Sequence, residues 1–266
     1  MATEIEHLPE TAGAVSRVIT VLGLLAEEPD EGLSIRKTAE RAGISRSAVH
    51  RILSQLAQCG VARARPDGVY AAGPVFYELA TRLISGSTLL ESADRVMQQL
   101  VRDVGETVCL TQLVAAEQRL VFVHVVECDK PVKYVVQVGT TAPLHAGAAG
   151  KAVLAWLPDG VLGELDLPPI TPSTPTDRAA LAAELAVVRD RGYATSLGER
   201  FTEAVGIAAP VFTDGVVTGS MSVTVPRSRY CDDHLPVLSG LVAAAAEEFS
   251  RQHRGPRTTP GAEAHK

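Results

Sequence analysis

The chain has 266 residues, enough for two modest domains that each bury a core. Its 46% hydrophobic and 21% charged residues are ordinary globular values and argue against wholesale disorder. The net charge of −6 argues against a uniformly basic nucleic-acid binder, and no run is long and apolar enough to read as a membrane span, so a cytoplasmic protein with no membrane partner is expected.

Residues 1–12 read as a flexible N-terminus. From residue 14 to 26 the apolar Val15, Val18, Ile19, Leu22 and Leu25 recur at three and four, the period of an amphipathic helix, and the acidic run at 27–31 ends it. Ser34 stands where an N-cap belongs and opens a short helix to Ala42 that buries Ile35, Thr38 and Ala39; Gly43 stops it. Ser45 then caps a second helix whose Val49, Ile52, Leu53 and Leu56 line one face. Two short helices joined by a glycine turn read as a helix-turn-helix.

With that apolar stripe turned inward, Arg46, Ser47, His50, Arg51 and Ser54 face outward, a polar set suited to the major groove of duplex DNA. Arg46 and Ser47, near the helix start, are the expected base readers, and Ser34, Arg36 and Ser45 complete the candidate contacts. The total charge conceals a basic island. From Ser34 to Arg65 seven basic residues face the single acid Glu40, a local +6 that leaves −12 for the rest of the chain. Residues 61–65 and 69–71 alternate around Pro66-Asp67-Gly68, which predicts a hairpin, or wing, on which Arg63 and Arg65 share a side and reach phosphate or the minor groove. The winged helix-turn-helix is placed at residues 13–73.

Pro74 fits the first turn of a linker helix, placed at residues 74–90, in which Val75, Phe76, Leu79 and Leu83 form a stripe. That stripe suits either a dimer surface or packing on its own domain. A larger α+β domain is placed at residues 91–253, with helices at 92–104, 148–157, 178–191 and 235–251. Its strands are expected at 108–114, 120–126, 132–138, 205–212 and 216–225. Residues 254–266 read as a disordered tail. Between Gly139 and Ala152 a run of small residues leads into a helix start, where free backbone N–H groups can meet a carboxylate; with no hydroxyl after Lys151 it is not a phosphate-binding P-loop.

Four stretches carry a resemblance: Gly43-Ile44-Ser45-Arg46-Ser47-Ala48-Val49-His50-Arg51-Ile52-Leu53; Pro143-Leu144-His145-Ala146 with Gly150-Lys151-Ala152; Arg191-Gly192-Tyr193-Ala194; and Ile207-Ala208-Ala209-Pro210-Val211-Phe212. In this order they resemble the IclR family of bacterial transcription regulators over residues 14–250. The resemblance implies a winged helix followed by a GAF-like effector-binding domain with a mainly antiparallel sheet flanked by helices. It also implies a double-stranded DNA operator, a homodimer or dimer of dimers, and a small organic acid that alters operator affinity, with no cofactor or metal.

Carried over motif by motif, the effector residues are the helix-start amides of Ala148 and Ala149, Ser196, Gly206, the alternate hydroxyls Ser222 and Thr224, and Tyr134 on the strand before the glycine turn. Members that sense very small acids often have an acidic residue where Ser196 lies and a cysteine where Gly206 lies. The absence of both enlarges the expected pocket and favours a larger, aromatic acid.

Two other readings compete. Cys109, Cys128, His124 and His145 are the candidates for an enzyme that uses a cysteine nucleophile and histidine base. Cys109 and Cys128 alone would suit a thiol redox sensor. The four cysteines lie far apart with no C-x-x-C, which argues against a zinc site.

Overall fold

Ser34 and Ser45 start the two helices around which the first unit is built, and both make their caps in the computed structural model, which describes residues 13–253. Each Oγ accepts an amide three residues on, Lys37 and Ala48 respectively, at 3.3 Å. This satisfies one of the donors that a helix start leaves without an intrahelical acceptor. Between the helices Gly43 adopts φ 68°, a conformation that a side chain would oppose, and returns its N–H to the Ala39 carbonyl. The residues read as flexible and disordered ends, 1–12 and 254–266, lie outside the described residues.

The described chain divides into two units between Ser87 and Thr88. In the first, α1 (Ala14–Glu27), α2 (Ile35–Ala42) and α3 (Arg46–Gln58) pack around Val21, Leu25, Val49, Ile52 and Leu53. Strands β1 (Leu33–Ser34), β2 (Ala62–Ala64) and β3 (Val69–Ala72) form an antiparallel sheet in the order β1-β3-β2. The hairpin β2–β3 is the predicted wing. Strand β1, two residues long, is too short for alternation to signal. The expected linker helix over 74–90 is interrupted: α4 (Pro74–Ser85) ends before Gly86, and α5 begins at Thr88. Val75 and Phe76 are half-buried, but α4 has no buried residue, and Tyr77, Leu79, Leu83 and Ile84 are exposed.

The second unit is α+β. Its elements are α5 (Thr88–Val104), β4 (Val108–Val114), β5 (Arg119–Val126), β6 (Thr141–Pro143), α6 (Ala148–Leu154), α7 (Asp159–Glu164), α8 (Arg178–Arg191), β7 (Ala194–Leu197), β8 (Ala204–Thr213), β9 (Val216–Pro226) and α9 (Leu235–Gln252). Six strands form one antiparallel sheet in the order β6-β5-β4-β9-β8-β7. Because side chains alternate along a strand, β8 and β9 split their residues between two cores. Ile207, Ala209, Met221 and Val223 join Met97 of α5 and Phe249 of α9. Ala208 joins Ala148 and Val153 of α6 with Leu181 and Leu185 of α8.

The strand expected at 132–138 is not formed. Val132, Val135 and Val138 are each more than 60% exposed, and the ladder of β5 runs instead to β6. A β-rich segment becomes a strand only where a partner offers its backbone groups and a surface to pack on, and here β6 takes the edge of β5. Tyr134 therefore lies on an irregular segment rather than a strand. Among the described residues no helix is long and apolar enough to cross a membrane.

Candidate functional site

On α3 the outward set is as expected: Arg46, Ser47, His50 and Arg51 are exposed, and Ser54 is half-buried. Ser45 Oγ, besides capping the helix, lies 3.1 Å from Ser47 Oγ. The basic island is then divided by ion pairs. Glu28, at the end of α1, takes Lys37 at 3.0 Å and Arg41 at 2.8 Å, and Glu27 takes the other nitrogen of Arg41. Arg36 makes a loose exposed pair with Glu40 at 3.5 Å, the kind that contributes little. Arg65 donates to the carbonyls of Asp30 and Glu31 and pairs with Asp67 at 3.2 Å. Arg46, Arg51 and Arg63 make no ion pair among the described residues. The uncompensated charge thus lies on α3 and β2.

In the second unit, strand register gathers the carried-over residues. Ser196, Gly206 and Thr224 form one row across β7, β8 and β9. The next row on the same face runs Ala194, Ala208, Ser222 and Cys109. Ala148 lies over the first row: a Cβ built on Gly206 would be 3.2 Å from the Ala148 Cβ and 2.7 Å from Ser196 Oγ. Ala149 follows in the same helical turn. The space expected at Gly206 is therefore not free, because the Ser196 hydroxyl fills the place a side chain would occupy. Tyr134 stands apart from these rows. Its ring lies 6.1 Å from that of Phe201, and it lines a cavity of about 300 Å³ with Val132, Lys133, Glu203 and residues 226–228.

Four charged residues with no place in the sequence-based site gather at α6. Lys151 is 1% exposed, and its Nζ lies 2.5 Å from Oε1 of both Glu184 and Glu199. Glu199 Oε2 accepts the Gly147 amide at 2.8 Å, so the first donor at this helix start is met by the chain's own carboxylate. Burial pushes the Glu199 carboxyl above the usual carboxylate range despite Lys151. The fourth is Arg200, in the turn after β7. Lys151 and Glu199 stand 48 residues apart, and no local periodicity links them; the apolar, small-residue setting of Lys151 was the only signal.

The alternative readings lose their geometry. Cys109 lies on the α6 side of the sheet, whereas His124 Nε2 meets Asp94 of α5 on the other side at 2.9 Å, so they do not form a nucleophile–base pair. His145 is buried against the Pro168 carbonyl at 3.0 Å, and burial lowers its pKa. Burial also pushes the Cys109 thiol up to about 12, which suppresses the thiolate that redox chemistry needs. All four cysteines are free thiols. Among the described residues no group of three metal-binding side chains gathers.

Comparison with known proteins agrees with both halves. The family model described as bacterial transcriptional regulator IclR C-terminal matches residues 81–251, and that of the IclR helix-turn-helix domain matches residues 14–66. The HTH-type transcriptional regulator BhcR of Paracoccus denitrificans is 32% identical over 243 residues, 89% of this chain and 86% of that protein. A crystal structure of an IclR-type transcriptional regulator from a Silicibacter species matches with a TM-score of 0.79 at 27% identity, over 94% of this chain and all of that one. An IclR homologue from Microbacterium hydrocarbonoxydans, crystallised with 4-hydroxybenzoate, matches with a TM-score of 0.71 at 26% identity, over 90% of this chain and 100% of its own. A capped helix-turn-helix with its free arginines outward, an antiparallel sensor-type sheet and these matches lead to one conclusion: the chain belongs to the IclR family of DNA-binding bacterial transcriptional regulators.

Proposed function

We propose that α3 and the wing contact an operator in double-stranded DNA, and that a small aromatic carboxylate bound on the α6 side of the larger sheet alters that affinity. Arg46 and Ser47 read bases; Ser34, Arg36, Ser45, His50, Arg51 and Arg63 position the helix on phosphate, with Arg65 bracing the wing. The observation that carries the reading is the segregation of charge, with Lys37 and Arg41 neutralised by α1 while Arg46, Arg51 and Arg63 stay unpaired. Each phosphate contact releases a counterion on binding. Arg63→Ala should therefore lower the log–log salt slope of operator binding by about 1. Arg65→Ala, already committed to backbone and Asp67, should leave the slope nearly as it is. Mobility-shift titration at four salt concentrations checks this; equal slopes for Arg63→Ala and wild type would remove the wing from the interface.

For the effector we assign Ala148, Ala149, Ser196, Gly206, Ser222 and Thr224, with Tyr134 towards the aromatic end. The relative that carries 4-hydroxybenzoate supports the class of ligand. So do the neighbouring rings of Tyr134 and Phe201. Thermal-shift screening of aliphatic and aromatic carboxylates tests it, because a ligand at 100 times its Kd adds about 2.7 kcal/mol to the native state. Hits confined to cations or neutral sugars would defeat the reading.

We further propose that α4 is the dimer surface. Leu79, Leu83 and Ile84 are 52%, 75% and 64% exposed on a helix that has no fully buried residue. Leu83→Glu should shift the protein to monomer in sedimentation at micromolar concentration. A dimer of unchanged stability would place the interface elsewhere.

A further inference from the structure

Glu199 and Arg200 are neighbours in the turn between β7 and β8, and the fold treats them oppositely. Glu199 is fully engaged, with one oxygen on Lys151 and the other on the Gly147 amide. Arg200 has no carboxylate within ion-pair distance among the described residues, although its own sequence neighbour is an acid. Among the described residues its one hydrogen bond runs from Nη2 to the Thr141 carbonyl at 3.2 Å. A guanidinium presents five N–H donors in a planar fork, so most of its capacity is unspent.

The side chain is nonetheless held in place. Its guanidinium carbon lies 5.8 Å from the centroid of the Phe122 ring and 5.3 Å from that of Phe201, within cation–π range of both. Its stem runs over Gly147, where a Cβ would come within 2.8 Å of Arg200 Cδ. Gly147 also has φ 86°, so glycine is required there twice over. Arg200 is half-buried, and desolvation lowers its pKa from the ordinary guanidinium value. Keeping a cation partly out of water without a counter-ion costs free energy. A fold that fixes such a cation between rings and turns the adjacent carboxylate away leaves its fork for an anion from outside.

We infer that Arg200 binds the effector's carboxylate through a two-point N–H···O fork, and that the rings of Phe201 and Tyr134 receive the ligand's aromatic body. This rests on the proposal that the unit binds an aromatic acid, and it assigns the anchoring charge to a side chain outside the carried-over set. Phe201 is 52% exposed and Tyr134 half-buried, so both keep surface to offer, while the buried Phe122 serves to hold the guanidinium. A planar fork meets both oxygens of a carboxylate at once, and the rings beside it suit an acid that carries an aromatic body.

The test uses the full chain with benzoate, 4-hydroxybenzoate and phenylacetate as probes, each against its amide, by isothermal titration. Wild type should bind at least one acid, and more tightly than its amide. Arg200→Met should weaken the acid about 20-fold, as loss of a charge-assisted pair of hydrogen bonds implies, while changing the amide little. Arg200→Lys, which keeps charge without the fork, should fall between them and serves if the methionine variant fails to fold. Operator affinity without ligand should be unchanged in both. Equal losses for acid and amide, or an acid that binds the variants as tightly as wild type, would overturn the role of Arg200 and leave the effector reading standing. If wild type binds none of the three acids, the aromatic-acid reading fails and the Arg200 assignment with it.

Discussion

Lys151→Met should destabilise the effector-binding unit by about 3–5 kcal/mol, the cost of breaking a buried ion pair from one side. For a unit of this size that lowers the midpoint of thermal unfolding by on the order of 10 °C. Lys151 is 1% exposed and Glu199 8%, so without the ammonium Glu199 would keep its charge in an apolar setting or take up a proton. Burial already raises the Glu199 carboxyl above its unfolded value, so the folded unit holds that proton more tightly, and its stability falls as pH climbs through the window above the usual carboxylate range. The defect of Lys151→Met should therefore be larger at pH 8 than at pH 5. Lys151→Met combined with Glu199→Gln should recover part of it. Trp156, the chain's single tryptophan, lies in this unit against Phe212, so its fluorescence reports the unit's own transition. A midpoint within 2 °C of wild type at both pH values would mean that the cluster contributes nothing.

The second large effect is expected at the operator. Replacing Arg46 and Ser47 together by alanine should weaken specific binding about 100-fold, since each good base contact contributes roughly 1–3 kcal/mol. Binding to a scrambled duplex should fall much less, so the specificity ratio drops with it. The operator is obtained by selection from a randomised duplex pool with the wild-type protein, and both duplexes are titrated at one fixed salt concentration. If specific and scrambled DNA weaken equally, Arg46 and Ser47 hold phosphate and the bases are read elsewhere on α3. If neither changes, α3 is not the DNA-reading helix.

What was legible in the sequence was whatever depends on near neighbours. The caps at Ser34 and Ser45, the stop at Gly43 and the stripe Val49, Ile52 and Leu53 are local chemistry, and they define the first unit. The long strands β4, β8 and β9 announced themselves by β-rich runs. Features that depend on distant partners did not. Nothing near residues 132–138 shows that β6 will take the edge of β5, and so a valine-rich run there has the pattern of a strand without forming one. Gly206 looked like added space because the sequence does not place Ser196 Oγ opposite it. Lys151 was visible as part of a motif but not as the hub of two carboxylates, and Arg200 not at all, because the meaning of each lies in residues tens of positions away. The basic island was real, yet which of its charges remain free was decided by Glu27 and Glu28 from the preceding helix.

Helix α4 has a consequence for dosage. A twelve-residue helix with no buried residue is marginal by itself in water, and what covers it must help to hold it. If a second copy does so, the ordered form exists in proportion to the square of the monomer concentration when the protein is scarce, and a two-half-site operator counts only that form. Occupancy would then rise more steeply than linearly with the number of molecules per cell. The regulator's own rate of synthesis becomes a second input beside the ligand, and a modest change in expression would move the genes it controls more than proportionally.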